Sequence, residues 1–489
     1  MNRICIGVLA LTPEWISMLD SLGVRYEEVR FENNLTTSYS VLIVNKHPTT
    51  TQLQYIQQFL NEDGSLLITR EVSINIFDKR DPIDDITIHL PAPYHSQVSS
   101  FSTGKGFVAQ WNLSPDKEFA DTSYHRKRFY FRPLMHPDEL VSSVDKNALL
   151  VTLDRILSEL HFHRSLPYIK KWHSPSEKPV FGFRIDSDFG TKESITNLYQ
   201  LSKEYSIPFT WFLHVQAHEE WLEEFKKFEH QEIALHGYEH GTSASYEHIF
   251  NNIETGYRKL NDVGFQPKGF CVPYGIWNEA LGDVLKKFEF EYSSEFTLGY
   301  DCVPFFPIHK GALHPTLQIP IHPICTGSLS RKEADEVEMT EYFEMILAKK
   351  LRSREPVFFY HHPMQIGINV WKSVFKKVQN SELNPITFLE YALFWKQRNE
   401  ALIEAKFDKK NKVLTLDSSD NSIFVQIAFS SKSYRLMPAS KTNKPLDSVK
   451  EYEWVDPDFP SLKTQSELQR GKMQLIKTSL LDWRNRKTL

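Results

Sequence analysis

The 489 residues are too many for one ordinary domain, and a span of roughly 150 residues per domain predicts about three. With 41% hydrophobic and 24% charged residues the chain sits at the globular norm, which argues against disorder and coiled coil. A net charge of -5 over this length argues against a nucleic-acid or anionic-membrane partner, because either calls for a basic face.

The first apolar run, Ile4 to Leu11, follows a single Arg and precedes Thr-Pro-Glu-Trp. It is short for a secretory segment and lacks a small-residue cleavage site, so it reads as a buried strand. Pro13–Leu22 reads as an amphipathic helix opened by proline. Strands follow at 24–31 and 41–45, then a helix near Thr51–Asn61, an Asp-Gly turn and the strand Leu66–Thr69. This β-α-β order predicts a parallel, helix-covered sheet. Residues 1–165 resemble class I glutamine-amidotransferase-like domains of flavodoxin-like α/β fold. Such domains carry a cysteine nucleophile after a central strand. Arg70 and Glu71 stand there instead, so the resemblance implies the fold and no activity. Gly104-Lys105-Gly106 lacks the remaining residues of a phosphate loop and reads as the turn before a strand at 107–111. Residues 145–172 read as helical and then polar, ending in a linker at Ser174-Pro175-Ser176-Glu177.

From Pro179 a longer α/β series begins. Its strands are Val180–Asp186, Phe209–Val215, Glu232–His236, Gly269–Pro273 and Val357–His362. The intervening helices are expected at Glu193–Tyr205, Glu219–Phe228, Tyr246–Val263 and Asn278–Phe288. Strands that end in polar residues predict a distorted (β/α) barrel over 175–402, with chemistry at the strand C-termini. From about residue 405 the hydrophobic period switches to two, predicting a small antiparallel β domain over 405–489.

Three strand ends carry metal-type side chains. In extended backbone Asp186 and Asp188 face the same side, and two such carboxylates need a cation or a proton between them. His236 and His240, four apart, present both imidazoles to one point if they share a helical turn. One Asp and two His leave an open coordination position, as a hydrolytic zinc site requires. Each piece alone is common in proteins without a site; their order along the chain is what is specific. His161 and His163 have no carboxylate partner or strand end and read as structural.

In that order the segment 179–365 resembles the polysaccharide deacetylase (NodB-like) family, carbohydrate esterase family four. The family's first motif is matched by Asp186 and Asp188, the second by His236 and His240, the third by Cys271-Val272-Pro273-Tyr274, and the last by His361-His362-Pro363. The resemblance implies a divalent cation, zinc by default with cobalt, nickel or manganese as alternatives, on Asp188, His236 and His240. It implies Asp186 as general base, the Tyr274 backbone N–H as an oxyanion donor and His362 as general acid, His361 being the other histidine of the pair. Where the family's third motif carries an arginine that orients the catalytic Asp, this chain has Cys271; Arg184, on the strand face of Asp186, is a possible substitute. Pro273, Tyr238, Trp277, His322 and His361 are expected to line the substrate site.

The function this implies is removal of an N-acetyl group from an amino sugar of a glycan or glycan precursor. Two alternatives remain: hydrolysis of another C–N bond, as in cyclic amides, or a catalytically lapsed metal- or glycan-binding module. Cys5, Cys271, Cys302 and Cys325 form no CxxC pair, which with the N-terminal reading predicts a reducing, cytoplasmic setting. No run approaches the ~18 apolar residues of a transmembrane helix.

Overall fold

A computed structural model describes residues 1–31, 34–72, 81–82, 97–132, 135–440 and 449–457. Much of the β region expected after residue 440 therefore lies outside the described residues.

The N-terminal sheet places Ile6–Val8 between Tyr26–Glu28 and Val41–Val44, followed by Ser65–Thr69 and Gly106–Trp111, all parallel. Its inner strands are buried throughout, which is why they read as continuous apolar runs rather than alternating ones. Val98–Thr103 returns antiparallel to Gly106–Trp111, so Gly104-Lys105 is a hairpin turn. The helix Pro13–Leu22 opens on proline and closes on Gly23, whose φ of 78° suits glycine. The helix Lys146–His163 lies against this sheet, capped by Asp145.

The segment that begins at Val180 is a parallel sheet flanked by helices. Its strands are β1 (Val180–Asp186), β2 (Phe209–Leu213), β3 (Glu232–Leu235), β4 (Gly269–Phe270), β5 (Tyr292–Ser293), β6 (Leu317–Gln318) and β7 (Val357–His361). They pair in the order β6-β5-β4-β3-β2-β1-β7, an open half-barrel. Past the end of β6, the His322 N–H donates to the Phe358 carbonyl on β7 at 2.9 Å, the bond that bridges the two edges. Register aligns Ile185 with His361, Asp186 with Phe212, Leu213 with Leu235, and Leu235 with Phe270. Asp186, His214, His236, Cys271 and His362 consequently emerge at one edge of the sheet. Gly182 is required where the Phe358 ring crosses β1, since a Cβ there would lie 2.3 Å from it.

Three expectations change. The antiparallel strands after residue 402 exist, but they pair with strands from the first 171 residues. Ile403–Asp408 lies between Asn2–Arg3 and Val413–Ser418, and Phe424–Ser430 lies between Tyr168–Lys171 and Ser433–Pro438. Periodicity fixes which face of a strand is buried and says nothing of its partner. The stretch at 174–177 is packed: Ser174 is buried, Trp172 Nε1 donates to the Ser176 carbonyl, and Tyr452 donates to Glu177. Glu219–Lys227 is a 3₁₀ segment kinked at Trp221 rather than an α-helix. Among the described residues no helix is long and apolar enough to cross a membrane.

Candidate functional site

β1 ends at Asp186, and two residues later Asp188 takes a left-handed conformation with φ of 41°. The two carboxylates thus do not lie on one extended strand; the chain turns between them. His236 follows β3 directly, and its N–H donates to the Leu213 carbonyl. His236 and His240 do not share a helical turn as expected. Gly237, with φ of 89°, bends the chain, and the side chain of Asn252 clamps the loop by accepting from Glu239 N–H and donating to the Glu239 carbonyl. Four-residue spacing is read as a helix only when nothing breaks it, and a glycine beside the first histidine does.

The Asp188, His236 and His240 ligand atoms lie within 4.8 Å of one another. Asp188 Oδ1 is 3.1 Å from His240 Nε2 and 3.5 Å from His236 Nε2. A tetrahedral zinc with bonds of about 2.0 Å separates its ligand atoms by about 3.3 Å, so the spacing fits. His236 Nδ1 donates to the Cys271 carbonyl at 2.8 Å, which leaves Nε2 with the lone pair a cation needs. Burial would raise Asp188, but His362, His236 and His240 hold it well below the usual carboxylate range. Asp186, His236 and Cys271 form a second such group. There a guanidinium already occupies Asp186, and burial pushes the Cys271 thiol well up, so that set suits a cation poorly.

The guanidinium is that of Arg184. Its Nε donates to Asp186 Oδ1 at 2.5 Å and its Nη2 to Oδ2 at 2.7 Å, with both side chains buried. Nη1 donates to the Ser294 carbonyl at 2.7 Å and to Ser294 Oγ at 3.1 Å. The rings of Phe212, Phe296 and Tyr360 enclose it. Burial alone would raise Asp186, but Arg184, then His236 and His362, keep it below its ordinary value. Cys271 Sγ is 3.7 Å from Asp186. Glu295, which no motif flagged, is fully buried beside this pair and accepts from Val272 N–H; burial pushes it up to about 8.

His362 Nε2 lies 3.7 Å from Asp188 Oδ2 and 3.9 Å from Asp186 Oδ2. Burial lowers its basicity, but Asp188 and Cys325 raise it to about 10. Burial would raise Cys325, packed beside it, but the hydrogen bond and charge of His362, with Arg331 and Ser328, together bring it down to about 6. His361 points the other way, fully buried against Trp371, with Nδ1 3.1 Å from Thr326 Oγ1. Successive residues of a strand face opposite sides, so only one of this pair reaches the mouth.

Of the other expected lining residues, Tyr274 is exposed at a left-handed turn (φ 65°), its ring 5.3 Å from His240, and Pro273 is buried beside it. Tyr238 instead sends its hydroxyl to Glu219. Trp277 is buried against His309 and His314, and His322 is buried between Asp301 and Tyr342. Neither is a surface platform: both belong to apolar packing or satisfied polar pairs. His161 and His163 are also structural, the first held by Leu157 and Ser40, the second stacked on Phe107.

Residues 182–293 match the polysaccharide deacetylase family model, so the chain contains a polysaccharide deacetylase domain. β7, with His361 and His362, lies beyond the matched residues. No curated protein matches the chain. Similar solved structures include a probable polysaccharide deacetylase from Pseudomonas aeruginosa, at 15% identity and TM-score 0.39, covering 46% of this chain and 93% of the other. Peptidoglycan deacetylase PdaC from Bacillus subtilis is 13% identical with TM-score 0.33, covering 46% and 95%. A CE4 family pseudoenzyme from Bacillus anthracis is 15% identical with TM-score 0.31, covering 45% and 69%. Likeness at these scores adds no argument to the family match.

Proposed function

We propose that residues 175–402 are a metal-dependent hydrolase that removes the N-acetyl group from an amino sugar of a glycan or glycan precursor. The observation that carries this is the convergence of Asp188, His236 and His240 on one point, with Asp186 and His362 beside it. A divalent cation held there, zinc by default and cobalt, nickel or manganese by the same ligand chemistry, would polarise the acyl carbonyl and acidify a water.

Asp186 takes the proton of the attacking water, and Arg184 keeps its carboxylate ionised and fixed in orientation. The Tyr274 backbone N–H, on a turn that carries the chain past His240, donates to the developing oxyanion. His362, whose Nε2 lies 3.9 Å from Asp186 Oδ2, delivers a proton to the leaving amine. The substitution of Cys271 for the family arginine favoured a lapsed site; Arg184 supports the catalytic reading because it supplies a bidentate guanidinium from the neighbouring strand position.

For the flanking parts, the strand order around Ile6–Val8 supports the flavodoxin-like reading of residues 1–165. The four free cysteines, all buried, support a reducing, cytoplasmic setting. The test is acetate release from N-acetylated amino sugars by the zinc-loaded full chain and by Asp186→Asn. The proposal expects release by the first and a loss of about 10²–10⁴-fold in the second. Equal release by both, or none by the loaded wild type on any N-acetylated sugar, would refute it.

A further inference from the structure

Ser187, His214 and His218 border the Asp188 turn, and no step of the reaction above uses them. His214 Nδ1 donates to the Asp188 carbonyl at 2.9 Å, and the His214 backbone N–H donates to Ser187 Oγ at 2.9 Å. His218 Nε2 lies 2.9 Å from the same hydroxyl, and the Ser187 N–H donates to the Phe212 carbonyl at 3.0 Å. All three side chains are buried, and the Phe189 ring meets the His214 ring edge-on at 4.8 Å.

Asp188 needs this support. Its φ of 41° is left-handed, a conformation that strains an L-residue, and glycine, which would adopt it freely, has no carboxylate. Without the bond to its carbonyl the turn relaxes and the carboxylate leaves the point shared with His236 and His240. Because the Asp188 carbonyl can only accept, His214 Nδ1 carries the ring proton. His214 Nε2 is then a bare acceptor, buried and without a hydrogen-bond partner among the described residues. An imidazole kept in a packed site at that cost, with one nitrogen spent on the backbone of a ligand residue, is explained by the turn it holds.

We infer that His214, with Ser187 and His218, is a positioning clamp that holds Asp188 in place for the cation, an inference that rests on the cation reading given above. The clamp acts through affinity. Partners of this outer kind change metal affinity by about 10–100-fold.

The experiment measures the zinc affinity of the full chain by competition with a chromophoric chelator, in wild type, His214→Leu, His214→Asn and Ser187→Ala. His214→Leu is expected to weaken zinc about 10–100-fold, while His214→Asn, which keeps an N–H near Nδ1, stays close to wild type. At saturating zinc the kcat of His214→Leu returns to near the wild-type value, which a residue serving only to fold the domain would not show. If His214→Leu fails to fold, Ser187→Ala decides, with an expected weakening of about 10-fold. Wild-type zinc affinity in the folded variants overturns the clamp and leaves the hydrolase proposal standing. No zinc uptake by the wild type removes the cation reading, and the clamp with it.

Discussion

Replacing Arg184 by Met tests whether the relocated guanidinium is what makes Asp186 a usable base. The change keeps most of the side-chain volume but removes both bonds to Asp186 and both to Ser294. Asp186 is 3% exposed, so its carboxylate would be left buried with no cation bonded to it. Breaking one side of a buried pair costs about 3–5 kcal/mol. A buried carboxyl that has lost both guanidinium bonds, with only the His362 imidazole 3.9 Å away, takes up a proton, so its folded value rises above its unfolded one. The variant's stability is then greatest in acid and falls as pH rises through that window, the reverse of the wild-type contribution. Protonated, Asp186 no longer accepts from water, and acetate release at neutral pH falls about 10²-fold or more. Adding Asp186→Asn to Arg184→Met removes the stranded charge and recovers most of the stability without recovering activity. Denaturant unfolding of the four proteins in the cycle, at two pH values, measures this. A loss under about 1 kcal/mol in Arg184→Met, with no coupling to Asp186→Asn, contradicts the argument.

His362→Ala is expected to lower kcat about 10²–10⁴-fold with little change in zinc content, whereas His361→Ala lowers stability by roughly 2 kcal/mol or more and leaves kcat within a few-fold. Steady-state kinetics beside thermal unfolding separates the two, and equal kinetic losses would contradict the assignment. Glu295, raised to about 8 from an ordinary value of 4.5, holds a proton when folded that it gives up when unfolded, so its contribution declines as pH rises across that interval. Glu295→Gln should therefore flatten the pH dependence of unfolding and be more stable than wild type near pH 8; a parallel pH curve would count against it. Trp277→Ala, by its burial against His309 and His314, should destabilise the domain and leave KM unchanged once folded, as a melting curve and a kinetic series would register.

The candidate site was legible where chemistry and strand ends coincide. Asp186, Asp188, His236 and His240 stand at or just past strands whose apolar runs are plain, and their order along the chain carried the reading. Conformation was less legible: the left-handed Asp188 and the bend at Gly237 replaced an extended pair and a helical turn. Lining residues chosen by nearness in sequence fared worst. His322, Trp277 and Tyr238 all sit near strand ends, yet each is drawn to a partner from elsewhere in the chain, Asp301, His314 and Glu219 respectively. Arg184 was visible as a possible stand-in, but its bidentate grip depends on Ser294, 110 residues away. Glu295 and Ser187 carry no signal, since a single acid or serine in a polar stretch looks like surface. His214 did carry one, as the polar residue just past the end of β2. The late antiparallel strands were readable as strands and unreadable as partners of residues 2–3 and 168–171, because long-range pairing leaves no local trace.

The most direct measurement is acetate release by the full chain stripped with chelator, reloaded with zinc or cobalt, and compared with Asp188→Ala carried through the same steps. The account predicts about one divalent ion per wild-type chain, activity that disappears on stripping and returns on reloading, and neither ion nor activity in the variant. Activity that survives stripping, or a variant that binds and turns over like wild type, would contradict it.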